Sequence, residues 1–453
     1  MKPITAFIAA FALLAAGSVA YSQDQAAGDK YVSKEEYQKL KAEHEQLKRE
    51  LEALKAQIQD SLKKGAPQET EAIKAQVQDL QKKEAARQAE TDQALDEIEK
   101  QMKGVKQMAK DAFPGTTKFL LGGYGFGEFT SRRGENSAFS AGFNPIFLWK
   151  LSDHLLFEGE LELELEGSET SLALEMAQLS YLLNDYMTIG AGKFLNPMNF
   201  FVERQHMAWV NKFPDKPLAV YDGLLPESNV GVQLRGGIPL GPTKFEYAFF
   251  AANAPTLIAE DKDALGMLEF NNFGNDNDHV AVGGRVGFFP IPQLEVGYGF
   301  QTSGVGPKGS GVDALLQSVD VNYVRDSSAL KGLLALRAQW VWSKVDRVTY
   351  DADESLGFGP VTFNNARDGG YVQLAYRPSK VENDFIKNLE TVVRYDMLNQ
   401  RKTPVGFDED RWTIGLNYWL GPSTVFKTAY QFDNKNAGEQ GQDAVMLQFV
   451  TGF

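Results

Sequence analysis

Two hydrophobic periods divide this chain of 453 residues. Between Tyr31 and Leu62, the residues Tyr37, Leu40, His44, Leu47, Leu51, Leu54 and Ile58 recur at alternating steps of three and four. That is the seam of a coiled coil. Some thirty helical residues rising ~1.5 Å each would reach roughly 45 Å. Gly65-Ala66-Pro67 breaks the seam, because proline does not continue a helix interior. A second stretch, 69–110, has a weaker seam through Ile73, Val77, Leu80, Leu95, Ile98, Met102 and Val105, interrupted at Glu84 and Arg87. A single solvated helix is the alternative. Isolated helices are marginal in water, so an oligomeric α-helical coiled-coil segment is expected over residues 23–112.

After Phe113-Pro114-Gly115 the period falls to two. In residues 294–301, Leu294, Val296, Tyr298 and Phe300 alternate with Glu295, Gly297, Gly299 and Gln301, as in a strand with one apolar face. Sixteen such tracts succeed one another: 117–130, 138–151, 154–167, 170–184, 186–196, 230–239, 243–254, 279–290, 293–303, 312–325, 331–344, 369–378, 388–399, 410–420, 423–433 and 442–453. Short connections such as Leu151-Ser152-Asp153, Pro290-Ile291-Pro292 and Gly421-Pro422 alternate with longer loops at 198–229, 255–278 and 345–368. This predicts an all-β transmembrane barrel of 16 antiparallel strands over residues 113–453, with both ends of the sheet on the short-turn, periplasmic side. The loops after the first and third strands, Arg132–Ala138 and Gly167–Thr170, are short, as a wall packed against another subunit would require. A soluble β-sandwich needs neither strands this long nor sixteen of them.

The N-terminus points to export. Lys2 precedes an apolar run from Ile4 to Ala16, and Ser18-Val19-Ala20 offers a small-residue cleavage site. Residues 1–22 therefore read as a signal peptide, too short for a membrane span. Cysteine is absent, which excludes disulfides, thiol catalysis and covalent haem attachment. The net charge is −14, and residues 1–110 carry equal numbers of acidic and basic side chains, so the whole excess falls in the barrel part. Such acidity argues against a nucleic-acid partner. The four histidines are scattered and define no metal or nucleophilic constellation. The alternating C-terminal tract ending in Phe453 resembles the last-strand signal of bacterial outer-membrane barrels.

One local pattern bears on function. Residues 157–167 read FEGELELELEG, with Glu158, Glu160, Glu162, Glu164 and Glu166 at every second position. On a strand these carboxylates share one face, roughly 6.8 Å apart. Each neighbouring pair costs about 0.6 kcal/mol even in water, so the face is expected to be wet. The same phase test puts Arg235, Arg285, Arg337, Arg377, Arg394 and Lys427 on the inner face; at the bilayer midplane each would cost about 2–4 kcal/mol. Acid on an early wall and base along the later arc would set a transverse field across the lumen. The loop 198–229 is the candidate constriction. It mixes Glu203, Arg204, Lys212, Asp215, Lys216, Asp222 and Glu227 with Phe200, Phe201, Trp209 and Phe213, and a connection this long is usually functional or disordered.

The segment AGKFLNPMNFFVERQHMAW (191–209), followed by LLPESNVGVQLRGG (224–237), resembles the phosphate-selective porin O and P family. Gly192-Lys193-Phe194, Pro197, Glu203-Arg204, Gly231-Val232-Gln233-Leu234 and Gly236 carry the likeness. A coiled coil ahead of the barrel is similar to trimeric substrate-uptake porins with a periplasmic stalk. The resemblance implies an outer-membrane homotrimer of water-filled barrels, each narrowed by an inward-folded loop and passing small hydrophilic solutes or ions. Many members carry an arginine just before the Gly-Val pair. This chain has Ser228-Asn229 there, so phosphate is not carried over as the solute.

Other signals are weaker. Gly304–Gly309 fits G-x-G-x-x-G but joins two strands and opens no helix. Asn275-Asp276-Asn277-Asp278 reads as a solvated turn before it reads as a calcium loop. No nucleophile accompanies the glutamates, so neither an enzyme nor a cofactor is expected. The rival readings are a tether joining the membrane to the cell wall through the coiled coil, and a barrel sheathing an electron-carrying partner.

Overall fold

The computed structural model describes residues 118–166, 169–221, 223–259, 264–270, 277–350, 360–400, 408–435 and 441–453, together with 48–49, 77–83, 85–86 and 88–89. The signal-peptide reading and the whole of the first heptad seam, His44 included, lie outside the described residues. The described N-terminal positions are helical, and Val77 and Leu80 are the least exposed residues of 77–83.

From Phe119 onward the chain is one closed antiparallel barrel of sixteen strands in sequence order. The first five are β1 (Phe119–Arg132), β2 (Ala138–Lys150), β3 (Leu155–Glu166), β4 (Glu169–Asn184) and β5 (Met187–Leu195). After a long connection come β6 (Ser228–Leu240), β7 (Thr243–Asn253), β8 (Val280–Ile291), β9 (Leu294–Gly304), β10 (Asp313–Ser327) and β11 (Gly332–Val345). The last are β12 (Ala366–Arg377), β13 (Leu389–Asn399), β14 (Glu409–Trp419), β15 (Thr424–Lys435) and β16 (Ala444–Gly452). Each expected tract is thus a strand, with its ends moved by a few residues. Closure pairs β1 with β16 from Tyr124↔Gly452 to Arg132↔Ala444, which leaves no free sheet edge.

The period of two has a physical cause. Along β14, Trp412, Ile414 and Leu416 are exposed, whereas Thr413, Gly415 and Asn417 between them are buried. In β8, β9, β13, β15 and β16 the same rule holds. The exposed face is apolar, and the buried charges and amides lie on the enclosed face together with apolar residues such as Val341, Val392 and Met446, as a membrane barrel requires. Aromatic side chains gather toward both rims of the exposed face, with Trp149, Tyr181 and Phe245 near the short turns and Phe139, Trp342, Trp412 and Phe432 near the long loops.

One strand breaks phase. Leu172 and Leu174 point outward on β4, and so do Leu179, Tyr181 and Leu183 further along, so even positions give way to odd. The pairing with β3 steps from Glu160↔Met176 to Leu161↔Leu174. Glu175 is the extra residue of this bulge, and its side chain is buried.

The apolar core lies within the barrel, where Met198, Phe201, Val202, Val220 and Leu225 from the connection after β5 pack on Leu316, Val341 and Tyr371 of the wall. Two small hairpins, Thr256–Leu257 with Leu268–Glu269 and Thr349–Tyr350 with Val361–Thr362, occupy two other long loops. A single turn of helix, Asp384–Lys387, sits between β12 and β13.

The outward face generates a direct expectation. Ile414 stands mid-strand and is 51% exposed. In lipid vesicles, Ile414→Arg should lower unfolding stability by about 2–4 kcal/mol, measured by denaturant titration. Loss of less than about 0.5 kcal/mol would mean that this face does not meet hydrocarbon.

Candidate solute channel

Residues 196–227 leave the end of β5, enter the barrel and return to β6. Sequence boundaries of 198–229 thus shift by two residues, since Ser228 and Asn229 already pair with Leu195 and Phe194. The base of the excursion is closed by Asn196 N–H donating to Glu227 O at 2.8 Å. Asn199 then caps the short helix α1, Phe200–Gln205, accepting from Val202 N–H at 3.3 Å. Its amide nitrogen donates to Val220 O at 2.5 Å, so one asparagine ties the inbound limb to the outbound one.

Polar pegs fix this arch to the wall. Ser318 of β10 and Gln339 of β11 both donate to Met198 O, at 2.9 and 3.1 Å. Glu203 accepts from Arg235 of β6 at 2.6 Å. Arg204 reaches Glu246 of β7 at 2.6 Å and Glu295 of β9 at 2.9 Å. Lys212 pairs with Glu390 of β13 at 2.9 Å, and Glu390 also accepts from Trp419 at 3.0 Å. Asp215 accepts from Gln431 at 2.6 Å and lies 3.4 Å from Arg411. Two wall positions are bare so that the arch can approach: an added Cβ at Gly299 would lie 2.6 Å from Met198 Cβ, and one at Gly415 2.6 Å from the Phe213 ring.

The basic residues singled out by phase all have partners. Arg285, almost wholly buried, donates to Asp320 at 2.8 and 2.6 Å and to Glu295 at 2.8 Å. Arg394 is fully buried, donates to Asp396 at 2.7 Å and to the carbonyls of Asp215 and Lys216, and lies over the Phe213 ring. Arg337 donates to Gln205 at 3.2 Å. Lys427 donates to Ala208 O and to Gln448. Arg377 binds Lys387 O and Asn388 at the short-turn end. The later arc is therefore not bare base facing an acidic wall, as the phase test on cations alone suggested. It carries its own acids: Glu246, Glu295, Asp320, Glu390, Asp396 and Asp433. Buried charges persist only when paired, and the same phase test applied to acidic residues would have found these partners. Within the arch, burial opposes the charge on Arg204, but Glu203, Glu246 and Glu295 hold its protonated form above the ordinary arginine range. Burial prevails over Glu390 at Lys212 and pushes its ammonium below the ordinary lysine value.

The ladder splits three ways. Glu158 accepts from Gln178 at 3.0 Å. Glu160 is buried, 3.5 Å from His206 Nε2 of the arch. Glu162 and Glu164 line a cavity of about 400 Å³ between the arch and the early wall. The Glu166 side chain lies outside the described part, as does Asp222. Tyr124, Glu128, Gln448 and Arg411 complete the strand side of the cavity, and Asp215, Lys216, Pro217 and Tyr221 the arch side. Lys216 donates to the Tyr221 hydroxyl and sits over its ring. Sequence reasoning missed Glu128 and Arg411, although both occupy inward positions of clear strands. Of the weaker motifs, Gly304–Gly309 joins β9 to β10, Asn277 donates to Pro255 O at 2.9 Å, and Asp278 pairs with Lys308.

No protein-family model matches the chain, and no curated protein matches it either. Among solved structures it is similar to OmpF of Salmonella typhi, in complex with daunomycin, at 12% identity and a TM-score of 0.51, covering 74% of this chain and 97% of that one. An anion-selective porin from Comamonas acidovorans aligns at 12% identity and TM-score 0.49, covering 74% and 99%. The outer-membrane channel DcaP of Acinetobacter baumannii aligns at 13% and 0.47, covering 74% and 97%. The OmpF likeness shows the fold: this is a sixteen-stranded barrel of the porin type.

His206 makes the arch pH-sensitive. Its Nδ1 faces the Val202 carbonyl, which can only accept, so that nitrogen carries a proton. Burial disfavours a second proton, but Glu160 and Glu175 outweigh it and raise the imidazole above its ordinary value. A raised pKa means stabilisation that is complete below about pH 6.5 and fades as pH climbs through the folded value. Wild type should therefore melt above His206→Gln at about pH 6, with the gap narrowing as pH rises through the folded value. An unchanged gap, read by circular dichroism, would show that the pair carries no linked proton.

Proposed function

We propose that this chain is an outer-membrane porin through which small hydrophilic or charged solutes diffuse passively. The observation that carries this reading is the arch 196–227 folded inside the barrel, with a charge-lined cavity of about 400 Å³ left beside it. Bare lumens of this strand number are wide aqueous channels, and an internal loop is the means of narrowing one. The apolar outer face and its aromatic rims support a membrane setting, with the short turns on the periplasmic side. The resemblance of residues 191–209 and 224–237 to the phosphate-selective porin O and P family supports the same class.

The assembled protein is a homotrimer in this reading. Loops 133–137 and 167–168 are the shortest at their end of the barrel, and Phe139, Leu165 and Leu172 on the same wall are exposed, which suits packing against another subunit. Residues 23–112 form a periplasmic coiled coil that follows a cleaved signal peptide 1–22. Glu162, Glu164, Glu128 and Lys216 line the passage. Arg235, Arg337, Arg394 and Lys427, with Glu203, Arg204, Lys212 and Asp215, hold the arch, and Arg285 lies over the Phe200 ring of the arch. Glu158, Glu160 and Arg377 belong to the inner face but do not line the cavity.

Replacing residues 202–226 by a short Gly-Ser linker should raise single-channel conductance severalfold in planar bilayers and admit larger uncharged sugars. Conductance equal to wild type would sink the proposal that the arch is the constriction.

A further inference from the structure

The charge left over in this cavity points to a solute class. Four carboxylates line it, Glu128, Glu162, Glu164 and Asp215, against the cations Lys216 and Arg411. Arg411 is already overbalanced: it contacts Glu409 at 2.5 Å, Asp433 at 3.0 Å and Asp215 at 3.4 Å. His206 also lines the cavity, is only 7% exposed, and its Nε2 makes no hydrogen bond; the nearest acid to it is Glu160 at 3.5 Å. No cation contacts Glu162 or Glu164 among the described residues, and Glu128 accepts only from Gln448 at 3.1 Å. Lys216 thus faces three carboxylates, since the charge on a protonated His206 is met by Glu160 and Glu175 behind the lining. Arg285 and Arg394, which could have offset those three carboxylates, are spent on Asp320, Glu295 and Asp396 and on arch carbonyls.

The lining is also mixed. Pro214, Pro217 and Leu218 of the arch and Leu398 of β13 supply apolar surface in the same cavity as the glutamates of β1 and β3. Tyr124, Phe126 and Tyr221 add aromatic faces, which attract cations. An anion would meet uncompensated carboxylates, and a sugar would leave them without a counter-charge. A short hydrocarbon bearing ammonium groups matches the acidic and the apolar lining at once.

We infer that the passage selects cations over anions and that its preferred organic solutes are small alkylammonium compounds, of the diamine or basic amino-acid type. This rests on the porin reading above and narrows it. The field of a narrow charged cleft raises local counter-ion concentration about tenfold or more, so a K⁺ over Cl⁻ preference of that order is expected.

The test uses the full-length protein in planar bilayers with a KCl gradient at low salt, where the Debye length is about 30 Å at 0.01 M. Reversal potentials should give a K⁺ preference of about tenfold. 1,4-Diaminobutane chloride should carry more current than sodium glutarate at equal concentration. Glu162→Gln with Glu164→Gln should bring the ion preference to within about twofold of unity. Lys216→Met should move it the other way, and it keeps the inference testable if the double variant does not fold. Asp326→Asn with Asp384→Asn removes two exposed rim carboxylates and should leave the preference where it was. A conducting channel that favours Cl⁻, or a preference unmoved by the Glu162/Glu164 change, overturns this inference and leaves the porin standing. Absence of any conductance overturns both.

Discussion

A closed sheet with an apolar outer face must put its polar side chains inside, and a buried cation survives there only beside an acid or a carbonyl. Everything else in this barrel depends on how that is met. Arg285 sits between Asp320 and Glu295, and Arg394 between Asp396 and two arch carbonyls. Each wall charge that the arch satisfies is also a fixed point for the arch. Removing one partner of such a pair typically costs 3–5 kcal/mol, because the other charge is stranded. The arch is therefore fixed to the wall at several points, although its regular structure among the described residues is a single short helix.

The position of the arch determines the chemistry of what remains. It is pegged along the arc from β6 to β15 and leaves space beside β1 and β3. Charges on the covered arc neutralise one another, whereas Glu162 and Glu164 on the open side contact no cation among the described residues. Selectivity in this view is a by-product of where the pegs are. The wall that is not needed to hold the arch is the wall that meets the solute.

Much of this was legible along the chain. Sixteen tracts of period two became sixteen strands, because a one-residue slip would turn every apolar side chain inward. The glutamate ladder and the long loop also stood out, since both are local patterns. The phase change in β4 was present as Leu172-Leu174 against Leu179-Tyr181-Leu183, yet it reads as noise until the bulge at Glu175 is seen. The pairings were not legible. Lys212 with Glu390 and Asp215 with Arg411 join residues that share no local pattern, and the shape of the arch decides them. Searching inward positions for base alone hid Glu295, which stood in plain view between Leu294 and Val296. The division of the ladder among Gln178, His206 and the cavity likewise depends on where the arch crosses β3.

The central claim is that residues 196–227 are pinned inside the barrel by buried charge pairs. A double-mutant cycle on Lys212 and Glu390, 2.9 Å apart with side chains 12% and 3% exposed, tests it most directly. Lys212→Met, Glu390→Met and the double variant would be compared by denaturant unfolding in detergent. The account predicts a coupling of about 1–3 kcal/mol, with the double variant more stable than either substitution alone would lead one to expect. Strict additivity, to within about 0.3 kcal/mol, would mean that the two side chains do not meet and that the arch lies elsewhere.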